Sequence, residues 1–151
     1  MTTTTSSDQI LTIVQEILVR APIAATFDAV LEQLGPGSET PDGQPLSMVL
    51  EPRPGGRWFR DLGGDNGHLW GHVQAIKRPT LVELTGPLFI SGAAVNNVQY
   101  RLSETEGGTK IVFRHSAFGA LPDELRDGMP RGWDHLLHRI QARAEARRLA
   151  H

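Results

Sequence analysis

Between residues 47 and 118 the sequence is divided into short segments in which apolar and polar residues alternate, and this feature constrains the fold most. Glycine, proline and asparagine separate the segments, as in GGDNG at 63–67, where Asn-Gly is typical of a tight hairpin turn. In the segment 96–103, Val98, Tyr100 and Leu102 alternate with polar residues. Short strands at this spacing predict an antiparallel meander.

Helices are predicted at two places around these strands. The β-branched segment 10–20 predicts a first strand, and 22–34 predicts a short amphipathic helix followed by a polar loop at 35–46. Gly128, Pro130 and Gly132 interrupt the segment before Trp133, where a long apolar helical stripe begins. We therefore expect an α+β domain over 10–151, preceded by a flexible N-terminus at 1–9. In it a curved antiparallel sheet of six to seven strands wraps around a long C-terminal helix.

Composition excludes several classes of function. The chain has no cysteine, which rules out disulfides, cysteine-bound zinc and a thiol nucleophile. A net charge of −2 gives no basic field for nucleic acid, and no apolar run reaches the roughly 20 residues of a membrane span. The start of the chain lacks the pattern of a signal peptide, so we expect a cytoplasmic protein. No phosphate-loop, zinc-protease or serine-hydrolase motif is present, and we predict no cofactor, metal or assigned catalytic residue.

Strand parity predicts which polar groups point into the fold. Ile111 and Phe113 take His115 to the same face of the last strand, and Tyr100 takes Asn96 inward on the strand before it. Polar groups in an apolar interior need partners, which could be each other, water or a ligand. The residues predicted to contact a ligand are Trp58, Asn96, Tyr100, Phe113, His115, Trp133 and Leu137.

Parity in the segment 68–77 predicts that Leu69 and Val73 face the core. His68, Trp70 and His72 then share the opposite face. A metal site would need a third ligand on that face, and none is predicted there. At the C-terminus, Arg143, Glu145, Arg147 and Arg148 mix both signs of charge, which is typical of a solvated helix face.

Four groups of segments together resemble a known superfamily. They read ILVRAP at 17–22 with TFDAV at 26–30, PGGRW at 54–58, GHV at 71–73, and GGTKI at 107–111 with RHSAFG at 114–119 and Gly132-Trp133. In this order they resemble the SRPBCC superfamily, also called START-like or Bet v-like, and within it the branch named after the activator of the heat-shock protein 90 ATPase. That branch usually has a second small helix where this chain has the polar loop 35–46.

The resemblance implies that residues 10–151 form a single START-like domain with the helix-grip fold. It also implies a deep pocket between sheet and C-terminal helix. Members of the superfamily bind lipids, sterols, polyketides or plant hormones, and a few are cyclases or dehydratases. We expect a small hydrophobic molecule as the partner of this chain. Two alternatives stay open at this point: a cyclase- or dehydratase-like enzyme in which His115 or Tyr100 moves protons, and a module that regulates a chaperone ATPase. A homodimer also stays open.

Overall fold

The computed structural model describes residues 10–149, so the N-terminus predicted to be flexible at 1–9 lies outside the described residues. The elements are β1 (Ile10–Val19), α1 (Ile23–Leu34), β2 (Met48–Leu50), β3 (Arg57–Gly63), β4 (Asn66–Lys77), β5 (Leu81–Gly86), β6 (Ala94–Thr105), β7 (Gly108–Gly119) and α2 (Asp123–Leu149). Strand β2 is the shortest of the seven strands, with three residues.

The seven strands form one antiparallel sheet in the order β1-β7-β6-β5-β4-β3-β2. The predicted α+β helix-grip architecture is therefore confirmed. The alternating residues of β6 and β7 are fully or almost fully buried beneath α2, as the parity of Tyr100, Phe113 and His115 predicts. In a sheet with one buried face, every second side chain of a strand is apolar. This alternation is why the strands could be predicted from the sequence.

Helix α2 is continuous through the segment that was predicted to be interrupted before Trp133. Gly128, Pro130 and Gly132 lie inside the helix, which starts at Asp123. The Pro130 carbonyl accepts a hydrogen bond of 2.8 Å from Gln15 Nε2 on β1. Inside a helix a glycine costs about 1 kcal/mol and a proline about 3 kcal/mol relative to alanine. The packing of α2 against the neighbouring elements therefore outweighs the poor helix propensity of these residues.

A β-bulge in β4 changes the side of the sheet on which Trp70 lies. Trp58 pairs with Gly71 and Phe59 pairs with Leu69, so Trp70 is an extra residue between two partners on β3. Trp70 consequently packs against Trp58, and Leu69 is 43% exposed. The prediction from parity that Leu69 faces the core and Trp70 faces away was wrong, because a bulge shifts a strict alternation by one residue.

Gly71 and Gly86 bring β4 and β5 unusually close together. A Cβ atom at Gly71 would lie 2.6 Å from the Thr85 carbonyl oxygen, and one at Gly86 would lie 2.4 Å from the Trp70 carbonyl oxygen. Only glycine fits at such a contact. The Leu88 amide then donates to the Trp70 carbonyl at 2.8 Å, which holds the start of the β5–β6 connection against the bulge.

Candidate functional site

An apolar cavity of about 650 Å³ lies between the sheet and the N-terminal half of α2, with the loop 35–46 along one side. The residues that line it are Gln33, Leu34, Ser38, Glu39, Pro41, Leu46, Trp58, Trp70, Phe89, Glu124, Leu125, Gly128, Met129, Arg131, Gly132, Trp133, His135 and Leu136. Several of them are exposed, so the cavity opens to solvent between the loop and the helix. Its volume falls within the range of small-molecule binding sites.

Aromatic rings form the sheet side of the cavity. The Trp58 and Trp70 rings meet edge-on with centroids 5.2 Å apart, and Phe89 packs on Trp70 at 5.6 Å. The Trp58 indole donates a hydrogen bond of 2.8 Å to the Leu34 carbonyl, which fixes its ring. With Trp133 on the helix side, all three tryptophans of the chain border the cavity.

Two exposed glycines of α2 lie on the helix side of the cavity. A Cβ atom built on Gly128 or on Gly132 would have no atom within 4 Å, apart from its own helix backbone and chain neighbours. Both glycines line the cavity. Gly128 and Gly132, which the sequence pattern indicated as interruptions of the helix, therefore border open space on this wall.

Ion pairs with α2 hold the loop that borders the cavity. Arg139 pairs with Glu39, and Arg143 Nη2 donates 2.8 Å to the Gly37 carbonyl. Arg143 and Arg147 both pair with Glu32 on α1. The prediction of a solvated basic helix end is thus wrong for Arg143 and Arg147. The contacts depend on α1 and α2 lying side by side, which the local charge pattern does not reveal.

A buried chain of hydrogen bonds lies behind the cavity. Trp133 Nε1 donates to His115 Nδ1 at 3.0 Å, and His115 Nε2 lies 2.8 Å from Asn96 Oδ1. Because Nδ1 accepts, the proton of the neutral ring sits on Nε2 and is donated to Asn96. Asn96 Nδ2 in turn donates to the carbonyls of Gly86 and Pro87, each at 3.2 Å. Both imidazole nitrogens are therefore occupied by protein partners.

Burial shifts the titration of the two candidate proton donors. Desolvation lowers the pKa of His115 to about 4, so its imidazole is neutral at neutral pH. Desolvation also raises the pKa of Tyr100 well above its ordinary value, which keeps the phenol protonated. Neither group is poised to exchange a proton near neutrality.

The structure divides the seven predicted ligand contacts into two sets. Trp58 and Trp133 line the cavity, while Asn96, Tyr100, Phe113, His115 and Leu137 are not among its lining residues. The Phe113 ring lies 5.1 Å from Tyr100 and 4.8 Å from Trp133, so the space beneath this part of the helix is filled by packed rings. Contact of these seven residues with a ligand stays a prediction.

Sequence reasoning missed Trp70, Phe89 and the two glycines of α2 as cavity residues. The signal that was available for Trp70 is its position immediately before Gly71, since a glycine within a strand often accompanies a bulge. For Gly128 and Gly132, their spacing of four places them on one face of a helix. That inference requires the helix to continue through Pro130.

None of the helices described within residues 10–149 is long and apolar enough to cross a membrane. No group of three or more histidine, aspartate or glutamate side chains in that range could hold a metal ion.

Comparison with known families and structures identifies relatives of this chain. The family model described as "Activator of Hsp90 ATPase homolog 1-like protein" matches residues 41–145. No curated protein matches the sequence.

Solved structures share the fold at low sequence identity. A putative uncharacterized protein from Rhizobium leguminosarum has a TM-score of 0.69 and 21% identity over 93% of this chain and 97% of its own. Ara h 8.0201 has a TM-score of 0.61 and 16% identity over 91% of this chain and 99% of its own. The di-domain ARO/CYC StfQ from the steffimycin biosynthetic pathway has a TM-score of 0.61 and 12% identity, covering 91% of this chain and 50% of that protein. These identities support the fold alone.

Proposed function

The chain belongs to the family of activator of Hsp90 ATPase homolog 1-like proteins, and from that premise we propose that it binds a small hydrophobic molecule in the cavity between its sheet and α2. Lipid-, sterol- and polyketide-like molecules are the classes that fit. The cavity carries the proposal. A space of about 650 Å³ bordered by aromatic rings and apolar helix residues is typical of a ligand site rather than of a packed core.

The proposal does not extend to catalysis. A cyclase- or dehydratase-like reaction would need a proton donor or acceptor within hydrogen-bond reach of the substrate. His115 and Tyr100 were the candidates, and neither lines the cavity. Regulation of a chaperone ATPase and formation of a homodimer stay predictions from the sequence.

Tryptophan fluorescence tests the proposal directly, because every tryptophan of the chain borders the cavity. We would titrate the protein with a panel of fatty acids, sterols and aromatic polyketides. Saturable quenching or a shift of the emission supports binding in the cavity. No saturable change with any member of the panel would count against it.

Two matched variants distinguish the cavity from the protein surface. Gly132→Phe adds a ring where the structure leaves open space, so it should block binding without a clash. Ala142→Phe adds the same ring to an exposed position of the same helix that does not line the cavity, and it should bind like the wild type. Equal loss of binding in both variants would contradict a site at the cavity.

A further inference from the structure

A row of basic side chains follows one face of α2. The row repeats every four residues, and its members are Arg131, His135, Arg139, Arg143 and Arg147. Residues four apart in a helix lie one turn apart on the same face. The row therefore runs along the side of α2 that meets α1 and the loop 35–46 and that borders the cavity at its N-terminal end.

Three members of this row are bound to carboxylates of the protein. Arg139 pairs with Glu39 of the loop 35–46. Arg143 pairs with Glu32 of α1 at 3.3 Å, and Arg147 pairs with the same carboxylate. In each case the basic side chain of α2 binds an acidic side chain that another element brings to it.

The other two members, Arg131 and His135, have no such partner. Their side chains form no hydrogen bond and no ion pair with any residue in the range 10–149. Both are exposed and both line the cavity, so they stand at its rim. Asp127, one turn before Arg131, does not line the cavity and does not pair with it. Within this row, the members without a carboxylate are thus the two that border the cavity.

Gly128 and Gly132 leave room for a group beside these two side chains. Residues 128, 131, 132 and 135 are spaced by three and four, so they form one patch on the helix surface. A Cβ atom on either glycine would have no neighbour within 4 Å other than its own helix backbone and chain neighbours. The Cβ atoms of residues one turn apart are separated by about 5–6 Å. Both basic side chains can therefore reach a single carboxylate that lies over the glycines.

The charges at the rim favour a group with one negative charge. Arg131 carries the only permanent positive charge of the pair, and a guanidinium matches the two oxygens of a carboxylate. Glu124 lines the same wall two turns away, about 10 Å along the helix axis. A second negative charge on the ligand would find no cation of its own and would be repelled by Glu124.

We propose that the cavity takes an amphiphilic carboxylic acid, whose apolar part enters among the aromatic rings and whose carboxylate is bound at the rim by Arg131 and His135. Arg131 supplies the ionic contact, and His135 supplies an N–H donor. This inference rests on the proposed function, since it names the chemistry of the molecule that the cavity binds.

A pair of fluorescent probes tests it at pH 8. The first is cis-parinaric acid, a conjugated fatty acid that fluoresces in an apolar site, and the second is its methyl ester, which has the same chain and no charge. We expect the wild type to bind the acid about tenfold more tightly, which is the effect of one hydrogen bond to a charged group. High salt should reduce this preference, because it screens an exposed ionic contact.

The matched variants change one arginine at a time. Arg131→Gln removes the charge, so the preference for the acid should fall to within about twofold. Arg131→Glu should reverse it, because a carboxylate at the rim repels the acid and not the ester. Arg114→Gln makes the first change at an exposed position of β7 that does not line the cavity, and it should keep the preference.

The possible results separate this inference from the proposed function. Equal affinity of the wild type for acid and ester would overturn the inference and leave binding in the cavity intact. A preference for the acid that persists in Arg131→Gln would overturn it as well. A preference of the wild type that does not change with salt would do so even if the variants fail to fold. If neither probe binds but a neutral member of the wider panel does, the inference fails alone, whereas no binding by any compound contradicts the proposed function too.

Discussion

Acidification should destabilise this protein through a single buried histidine. His115 is completely buried, and its neutral ring accepts from Trp133 and donates to Asn96. Protonation would put an N–H at Nδ1 opposite the Trp133 N–H and would leave an uncompensated charge in the core. Burial accordingly lowers the pKa of His115 in the fold, whereas the unfolded chain protonates at the ordinary value of 6.5.

The size of this destabilisation follows from the pKa values of His115 in the unfolded and the folded chain. The pKa falls from 6.5 to about 4 on folding, and a pKa difference of one is worth about 1.4 kcal/mol. Above pH 6.5 His115 is neutral in both the folded and the unfolded chain, so its full contribution to the free energy of unfolding is present. Below it the unfolded state binds the proton first, so about 3 kcal/mol of unfolding free energy is lost as the pH falls to about 4. That is a large part of the 5–15 kcal/mol typical of a domain.

Urea unfolding at a series of pH values, followed by tryptophan fluorescence, measures this loss. The comparison variant is His115→Gln, whose amide can accept from Trp133 and donate to Asn96 but does not titrate. Between about pH 7 and about pH 4 the wild type should lose about 3 kcal/mol more than the variant. His135→Gln removes an exposed imidazole and should show the profile of the wild type. A difference below about 1 kcal/mol between wild type and His115→Gln, or one of opposite sign, would refute the reasoning.

Three further substitutions test the packing by equilibrium unfolding. Trp133→Ala should cost about 3–5 kcal/mol, because it removes a large buried ring and a donor to His115; a loss below about 1 kcal/mol would show that this ring is not part of the core. Gly128→Ala should stabilise the fold by about 0.4–1 kcal/mol, since the added methyl group meets open space inside a helix, and destabilisation would mean that the helix is wrongly placed there. Asn96→Leu should cost at least about 1–3 kcal/mol by leaving His115 without an acceptor, and a neutral effect would contradict the buried hydrogen-bond chain.

The buried face of the sheet could be predicted from the sequence, because the alternation of side chains along a strand is a local property. Side chains of a regular strand alternate between two faces, so the apolar Ile111 and Phe113 determine where His115 must point. The prediction that Asn96 and His115 need partners was also sound. The structure shows that they bond to each other and that His115 also accepts a hydrogen bond from Trp133.

The cavity could not be located in the same way, because its position depends on departures from local rules. The bulge at Trp70 reverses the parity of part of β4, and it depends on how β3 pairs with β4. The helix passes through Gly128 and Pro130 because tertiary packing exceeds their intrinsic preference.

The sequence by itself determined the order of the elements and the inward residues of β6 and β7, since each depends on residues close together in the chain. It also indicated the family, through the order of short segments along the chain. Only the tertiary structure decided where the empty space lies. A cavity is what remains after distant side chains have packed. Gln33, which borders it, is held by a hydrogen bond from Arg143, which is 110 residues away along the chain.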